Sequence, residues 1–313
     1  MTTRYLGDAN NQFTVAQEPL SFRNKLINGN FDIWQRGTTS NTWVSPVSSY
    51  YQADRWVANS SGTGGNGSLS QQTFTIGQTD VPNEPTYFLR WTITSAASGQ
   101  SAGSNWLEQR VEDVRTFAGQ QVTVSFYAKG TGTLPGFYIT QTFGTGGSTQ
   151  VSYTLATNIA LNATWTKYTY TTTLSSISGK TIGAGSYIGF TIQVPLNTTY
   201  TLDLAQVQLE RGPIATIFER RSYGQELVLC QRYYQQGKAW GYVLNDSATN
   251  ASQGGGSCVN FATQMRASPT VSSFSGSAFT ALNVDQNGFG FQNTGGQNAN
   301  VTINATYAAT IEL

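Results

Sequence analysis

Alternation of apolar and polar residues with a period of two runs through most of this 313-residue chain. In the segment QVTVSFYA it places Val122 and Phe126 on one face and Tyr127 on the other, and YFLRWTIT (87–94) and YIGFTIQV (187–194) alternate in the same way. This period is typical of half-buried β-strands. Glycine-rich clusters such as SSGTGGNGS and GTGTLPG separate the runs. The sequence therefore predicts an all-β fold of antiparallel strands, either a β-sandwich or a jelly roll.

Composition narrows the possible functions. Charged residues make up 11% of the chain, the net charge is +1 and histidine is absent. A nearly neutral chain has no field that would attract nucleic acid or an anionic membrane, and without histidine it lacks the usual base near neutral pH. The two cysteines, Cys230 and Cys258, show neither metal-ligand spacing nor a disulfide framework. We expect a binding or structural protein with no cofactor and no nucleic-acid partner.

One segment has helical character. SYGQELVLCQRYYQQ begins with Ser222 and Gln225 at the spacing of a capping box, which predicts a helix over 222–236. Three residues fall on one stripe of that helix, namely Leu227, Cys230 and Tyr234. A helix of this length is marginal alone, so the stripe either packs on its own domain or joins chains around a threefold axis. We favour the second and expect a homotrimer.

The period of two returns after Gly237 and is clearest near the end of the chain. Val301, Ile303 and Ala305 begin an unbroken alternation that continues to Leu313. The segment 237–313 is predicted to form a second, small β-sandwich.

Two short signals near the start of the predicted fold behave as the two ends of one clasp: NKLINGNFDIWQRGT (24–38) and ADRW (53–56). A third feature lies in TLDLAQVQLE, where Asp203 shares a face with apolar residues that include Val207. A carboxylate facing a core is costly unless it is paired or bound to a metal ion. A β-bulge near Ala205 is the alternative, since the neighbouring leucines take the opposite phase.

Three pieces of sequence, in this order and spacing, resemble tail-fibre and fibre-like proteins of bacteriophages. They are LINGNFDIWQRG with ADRW, WLEQRVEDVRTFAGQQVTVSFYAKG (106–130), and LDLAQVQLERGPIATIFERRSYGQELVLCQRYYQ (202–235). The resemblance implies a jelly roll similar to carbohydrate-binding modules, followed by a short helix. FATQMRASPTVSSF (261–274) resembles the small C-terminal sandwich that often ends such fibres. The implied organisation is an arm over 1–24 that anchors the chain to other virion proteins, a jelly roll over 25–221, the helix over 222–236 and the second sandwich over 237–313.

The resemblance also explains the clasp. In such jelly rolls the first and last strands are neighbours, so the Asn28-Gly29-Asn30 turn is expected to meet the strand that carries Asp203, with Phe31, Trp34 and Trp56 closing the end of the core. Related modules often hold a structural calcium ion at this corner, and Asn30, Asp32 and Asp203 are the oxygen ligands available here. The alternative, which we favour, is that Asp203 accepts hydrogen bonds from backbone N–H groups or from Arg36.

Exposed aromatic side chains are the candidates for ligand binding, because sugar faces stack on Trp and Tyr rings. The candidates are Tyr127, Tyr168, Tyr170, Trp43 and Tyr51. The carboxylates Glu108, Glu112 and Asp113 alternate with arginines, so ion pairs explain them better than the acid pair of a glycosidase. We expect no enzymatic activity.

The predicted function is that of a virion component, a phage fibre protein that binds host surface glycans. The alternative is a structural head fibre or decoration protein without a receptor role. The chain has no signal-peptide pattern at its start and no apolar stretch of about 18 residues. Assembly in the host cytoplasm, a final location on the tail or capsid surface, and no insertion into a membrane are therefore expected.

Overall fold

The computed structural model describes residues 22–38, 43–243, 258–276, 279–293 and 301–313. Twelve strands form the first and larger unit: β1 (Trp43–Val44), β2 (Val47–Tyr51), β3 (Trp56–Ser60), β4 (Asn66–Thr73), β5 (Tyr87–Ser95), β6 (Trp106–Glu112), β7 (Gln121–Gly130), β8 (Thr133–Thr142), β9 (Val151–Ala160), β10 (Thr166–Thr173), β11 (Tyr187–Gln193) and β12 (Tyr200–Arg211). They form two six-stranded antiparallel sheets, in the orders β1-β4-β5-β12-β7-β10 (the first sheet) and β2-β3-β6-β11-β8-β9 (the second sheet). The unit is a jelly-roll β-sandwich, as the sequence predicted.

The core lies between these sheets. The residues that the alternation assigned to the inner face of β7, from Val122 to Ala128, are fully buried there, and Trp91 and Phe190 fill the same core. The outer face of the first sheet carries a second, smaller apolar cluster. Its members are Phe74, Val81, Phe88 and Ala205, with Tyr127 and Trp165 packed against them.

A β-bulge interrupts β12 where the sequence changes phase. The pairing of β12 with β7 shifts between Ala205 and Gln208, and Gln206 has a φ of 50°. The extra residue returns Val207 to the core between the sheets, while Ala205 packs on the outer face. The bulge is thus the correct one of the two alternatives for Asp203.

The helix is shorter than predicted. It spans Tyr223–Gln231, and the capping box is present: Ser222 N–H donates to Gln225 Oε1 at 3.2 Å, and Gln225 N–H donates to Ser222 Oγ at 3.4 Å. The prediction that the helix continues to residue 236 is wrong, because the chain turns and enters β13 (Tyr234–Val243). Gly237 lies inside that strand beside Tyr307 and does not end the helix.

The rest of the chain forms a second β-sandwich, as predicted, although it begins at Tyr234. Its strands are β13, β14 (Cys258–Asn260), β15 (Thr270–Gly276), β16 (Phe279–Leu282), β17 (Gly288–Asn293) and β18 (Val301–Thr310). They form two three-stranded sheets, in the orders β13-β18-β15 and β14-β17-β16. Phe261, Met265, Phe289 and Tyr307 are buried between them.

Ion pairs join the two sandwiches. Glu312 accepts a hydrogen bond of 2.8 Å from Arg36 and another from the fully buried Arg55. Arg36 lies over the ring of Tyr234 at 3.6 Å, and Arg55 lies over the ring of Tyr233 at 3.4 Å. Both arginines belong to the clasp segments, so the clasp also carries the contact with the second sandwich.

The predicted arm over 1–24 lies outside the described residues up to position 21. Its last residue belongs to the sandwich: Asn24 is buried and donates from Nδ2 to the carbonyl of Val207 at 3.1 Å. Asn24 Oδ1 accepts from the N–H groups of Leu26 and Leu209, each at 3.0 Å. The arm therefore ends before Asn24. No helix in the described part of the chain has the length and apolar character needed to cross a membrane.

Candidate functional site

Asn28 joins the two clasp signals. Its side-chain amide donates to the carbonyls of Ile33 at 2.8 Å and Asp54 at 3.1 Å, and its side-chain oxygen accepts from Ile33 N–H at 2.9 Å. The Trp56 indole N–H donates to the Asn28 carbonyl at 3.1 Å, and the rings of Phe31 and Trp56 are 5.3 Å apart. The Asn-Gly-Asn turn is therefore anchored from both signals and holds the residues that follow it.

The turn contacts the bulge of β12. Val207 N–H donates to the Gly29 carbonyl at 2.8 Å, and a Cβ on Gly29 would lie 2.1 Å from the Val207 carbonyl oxygen. Only glycine allows this approach. The positive φ values of this turn fall on Asn28 and Phe31, and the glycine serves close packing.

The predicted calcium ligands are not assembled. Asp203 is buried, and Arg90 donates to both of its carboxylate oxygens at 2.7 Å, with Lys129 Nζ at 3.8 Å. Two cations beside one carboxylate do not suit a calcium ion, which needs six to eight oxygen ligands. The expectation that Asp203 meets the turn or pairs with Arg36 is also wrong, because its partner is the residue opposite it on β5.

Asp32 lies instead on the wall of an open cavity of about 560 Å³ that we call the turn pocket. Asn30 is not part of the wall but contacts it, because its Nδ2 donates to Asp32 Oδ2 at 3.0 Å. The lining of the turn pocket includes Asp32, Tyr87, Arg220, Ser222 and Tyr223. Burial raises the pKa of Asp32 above its ordinary value, while the Asn30 hydrogen bond and the Arg220 charge oppose this effect. The Tyr223 side chain is 63% exposed and Tyr87 is half-buried, so two rings border a carboxylate and a guanidinium.

A second cavity, of about 180 Å³, lies on the outer face of the first sheet, and we call it the sheet pocket. Its lining includes Asn83, Tyr127, Lys167, Gln206 and Phe218. Lys167 lies directly opposite Tyr127 on the neighbouring strand. Gln206 is 3% exposed and donates from Nε2 to the Pro82 carbonyl at 2.6 Å, while its Oε1 has no hydrogen-bond partner among the described residues.

The same two segments of chain run past both pockets. Residues 82–83 and 216–218 line the sheet pocket, residues 86–87 and 220–223 line the turn pocket, and Arg220 NH1 donates to the Glu84 carbonyl at 3.4 Å between these groups. The bulge positions Gln206, and the capped start of the helix positions Ser222 and Tyr223. We call the two pockets together with this bridge the groove.

The aromatic residues predicted to bind glycans are not all on one surface. Tyr127 lines the sheet pocket, but Tyr168 and Tyr170 lie on the core side of β10 and not on its outward face. The Tyr168 ring stacks on Phe126 at 5.5 Å, and the Tyr170 ring packs on Phe137 at 5.4 Å. Their register explains this, because Tyr168 pairs with Phe126, which faces the core.

Of the remaining two aromatic candidates, Tyr51 lies away from the groove and the side chain of Trp43 is outside the described residues. The Tyr51 hydroxyl donates to the Leu313 carbonyl at 3.0 Å, and burial raises the Tyr51 pKa to about 12. Tyr51 therefore belongs to the junction between the sandwiches. Trp43 lies in β1, and its side chain is outside the described residues.

The predicted trimer stripe is not a surface of the helix. Cys230 is 1% exposed within its own chain and Tyr234 is buried in β13, while Leu227 is half-buried. Burial raises the pKa of the Cys230 thiol well above its ordinary value. The helix end at Gln231 separates Tyr234 from the other two residues.

The carboxylates weighed as an acid pair have other partners. Glu108 accepts from Arg110 at 2.5 Å and from Thr191 at 2.7 Å, and Glu112 pairs with Arg232 and Arg266 across the junction. Asp113 pairs with Arg115 at 3.1 Å. Ion pairing was the predicted role, although Glu108 is buried and not at the surface.

Sequence reasoning missed five residues of the groove: Tyr87, Lys167, Gln206, Arg220 and Tyr223. Two signals could have found some of them. The phase break in β12 predicts an irregular residue near Gln206, and the capping box places Tyr223 at an exposed helix start. No local pattern marks Arg220 or Lys167.

The fold and site describe an all-β protein: a jelly-roll sandwich, a short helix and a second small sandwich. Neither a scan against protein-family models nor a search of curated proteins finds a match to this chain. Similar solved structures include the enzymatically active domain of bacteriophage CBA120 tailspike protein 4, at 12% identity and a TM-score of 0.32, covering 61% of this chain and 22% of that one.

Two others are binding domains. The CBM22-1 xylan-binding domain from Paenibacillus barcinonensis has 13% identity and a TM-score of 0.33, covering 57% of this chain and 98% of that one. The N-terminal cellulose-binding domain of a Cellulomonas fimi β-1,4-glucanase has 18% identity and a TM-score of 0.30, covering 47% and 90%. At these values nothing about the ligand of this chain follows from them.

Proposed function

We propose that this chain is a glycan-binding fibre protein of a bacteriophage virion, and that the turn pocket holds a sugar unit of a host surface polysaccharide without cleaving it. The observation that carries the proposal is the combination in one open cavity of Tyr87, Tyr223, Asp32 and Arg220. Rings stack on the apolar faces of sugars, and charged groups bind hydroxyls through strong directional hydrogen bonds.

The groups of the pocket are held in place before a ligand arrives. The Asn28 side chain anchors the turn that precedes Asp32, and the capping box fixes the start of the helix at Tyr223. Arg221 is held by Glu226 at 3.1 Å, so it forms part of the wall. A preformed site loses little conformational entropy on binding.

Binding without hydrolysis is proposed because the pocket offers one carboxylate. Asp32 is the only acidic residue lining the turn pocket in the described part of the chain. A glycosidase needs two carboxyl groups on either side of the scissile bond. Expected activity on a bound polysaccharide is therefore nil, and reducing-end release after long incubation measures it.

A binding assay on a glycan array tests the proposal. The Tyr223→Ala and Asp32→Asn variants are expected to lose most of the array signal. Trp240→Ala removes a ring of the second sandwich that is 71% exposed, against 63% for Tyr223, and should leave the signal intact. A single sugar stacked on one or two rings binds weakly, so the array should present dense polysaccharide. Equal loss in all three variants, or no signal for the native chain, would refute the proposal.

The homotrimer is part of the proposal, and the sequence resemblance to fibre proteins supports it. The buried positions of Cys230 and Tyr234 remove the predicted helix stripe as the contact surface. Three sites on one trimer would raise avidity through effective concentration. Sedimentation equilibrium of the purified chain is expected to give three times the monomer mass of 33.8 kDa. A monomer at micromolar concentration would contradict it.

The second candidate is a structural head fibre or decoration protein. The junction favours it, because several ion pairs, of which Arg55–Glu312 is buried, hold the two sandwiches together, as a rigid spacer requires. Antibody labelling of virions, viewed by electron microscopy, distinguishes the two candidates. Label on the tail tip supports the receptor role, and label on the capsid with no glycan signal supports the structural role.

A further inference from the structure

We infer that the groove selects an acidic polysaccharide, with an anionic sugar unit placed against Lys167 in the sheet pocket. This inference rests on the proposed function and names the class of glycan that the same site takes. It depends on three features of the groove: its continuity, the ammonium group of Lys167 that has no carboxylate partner among the described residues, and a buried acceptor that lacks a partner.

Continuity comes from two segments of chain, each of which lines one pocket and then the other. Asn83 lines the sheet pocket and Thr86 lines the turn pocket, three residues apart on one wall, while Phe218 and Arg220 are two residues apart on the other. The bridge between the pockets is a long hydrogen bond from Arg220 to a backbone carbonyl. A chain of several sugar units that crosses this bridge fills both pockets at once, which a single unit does not.

The sheet pocket carries an exposed cation. Lys167 is exposed and has no ion-pair partner among the described residues, and Arg220 is also exposed, with no carboxylate paired to it in that part of the chain. The charge of Arg220 acts on the Asp32 carboxyl group in the turn pocket, and the exposed Glu84 lies at the bridge, so Lys167 is the cation of the groove that is available to an anionic sugar. Other cations nearby are already paired, such as Lys129 with Asp203 and Arg221 with Glu226.

Gln206 supplies the third feature. Gln206 has a φ of 50°, a strained value for a non-glycine residue, and the bulge places its side chain in the lining of the sheet pocket. Its amide N–H is bound to the Pro82 carbonyl, and its Oε1 lacks a partner in the described chain. A buried acceptor without a donor destabilises the protein, so a hydrogen bond from a sugar hydroxyl to this oxygen would be favourable.

The ring of Tyr127 completes the subsite. It lies beside Lys167 on the neighbouring strand and packs on the outer apolar cluster, which fixes its orientation. A sugar unit over Tyr127 places a ring substituent toward the ammonium group and a hydroxyl toward Gln206. Either the carboxylate of a uronic acid or a phosphate on a sugar supplies the negative charge that pairs with Lys167.

The test uses the full chain on an array of purified bacterial capsular and O-antigen polysaccharides that are neutral, uronic-acid-containing or phosphate-containing. Each uronic-acid polymer is also printed after carboxyl reduction, which converts the acid to a neutral sugar. We expect the strongest signals on acidic polymers. Loss of signal after carboxyl reduction identifies a carboxylate, and signal confined to phosphate-containing polymers identifies a phosphate.

Variants tie the selectivity to the groove. Lys167→Gln is expected to weaken binding to the acidic polymer about two- to fivefold per site, the range for an exposed ion pair, and Lys167→Arg should retain it. Lys180→Gln removes an exposed lysine from another loop and should leave binding unchanged. The native chain should lose signal with added salt, and Lys167→Gln should lose less.

The outcomes separate the two proposals. No glycan signal for the native chain would overturn the proposed function. Strong signal on a polysaccharide that is equal before and after carboxyl reduction, equal on neutral polymers, and unaffected by Lys167→Gln would overturn only the acidic class. Equal losses in Lys167→Gln and Lys180→Gln would also overturn it, since they indicate attraction by overall charge.

Discussion

Arg90 and Asp203 form a two-point contact between neighbouring strands, with both hydrogen bonds 2.7 Å long. The two residues lie opposite each other on β5 and β12, on the outer face of the first sheet. Asp203 is almost fully buried, and the pairing compensates the loss of its water shell. A residue that looks like a metal ligand in the sequence is therefore a cross-strand ion pair.

Replacing Asp203 with alanine is expected to lower the free energy of unfolding by about 1–3 kcal/mol, because both hydrogen bonds from Arg90 are lost. The loss is no larger because Arg90 is partly exposed and can bind water instead. Chemical denaturation measures the change. Arg115→Ala breaks an exposed ion pair and serves as a control, with a change under about 0.5 kcal/mol. A chelator should leave the native melting temperature unchanged, and a drop on chelation would contradict the ion-pair assignment.

Asp54 should make stability depend on pH. Burial raises its pKa from 3.8 to about 6, against the opposing charge of Arg36. The folded protein binds this proton more tightly than the unfolded chain, so the contribution is fully present below about pH 4 and is lost as the pH rises through about 6.

The rise of the Asp54 pKa from 3.8 to about 6 corresponds to roughly 3 kcal/mol of folding stability, since one pKa unit equals about 1.4 kcal/mol. Relative to Asp54→Asn, which stays neutral, the native protein should become less stable between pH 4 and pH 8. Urea unfolding of both proteins across that range measures the difference. A constant difference between them would show that Asp54 keeps its ordinary pKa.

Gly29→Ala is expected to destabilise the protein by about 1–3 kcal/mol, because the new methyl group would lie 2.1 Å from the Val207 carbonyl oxygen. Gly224→Ala is the matched control: it lies in the first turn of the helix with no atom within 4 Å. That change should be neutral or stabilising by up to about 1 kcal/mol. Similar melting temperatures for the two variants would mean that the turn does not pack on β12.

Tyr168→Ala should cost stability and leave glycan binding intact. The ring contacts Phe126 and Phe137, and its loss leaves a gap at the edge of the core, worth about 2–3 kcal/mol for a half-buried ring. Tyr168→Phe retains those contacts and is the control. Unfolding midpoints and array signals are measured on the same samples. A Tyr168→Ala variant that is stable but no longer binds would indicate that Tyr168 contacts the ligand.

Two deletions should separate the arm from the fold. Removing residues 1–21 is expected to leave the melting temperature unchanged and to abolish incorporation into virions, whereas removing 1–24 also deletes the three hydrogen bonds of the Asn24 side chain. The longer deletion should cost about 1–3 kcal/mol, and Asn24→Ala in the full chain should cost a similar amount. Normal incorporation of the shorter deletion would remove the anchoring role.

The all-β class, the inner faces of β5, β7 and β11, and the capped start of the helix were predictable because each depends on residues close in sequence. Alternation by itself assigns Phe126 inward and Tyr127 outward, and a capping box needs only Ser222 and Gln225. The phase change in β12 likewise indicated a bulge near Ala205 as one of two alternatives.

Tertiary structure decided the rest. In KYTY the alternating residue is tyrosine, which occurs on both faces of a sheet, so only the pairing of Tyr168 with Phe126 shows that it faces the core. The helix ends at Gln231 because the chain from Tyr234 onward pairs with β18. Local helix propensity carries no information about this distant strand. The groove combines residues 82–87 with 216–223, more than a hundred positions apart. Such a site exists only after the sheets pack, since the energy that brings those loops together comes from burial of the shared core.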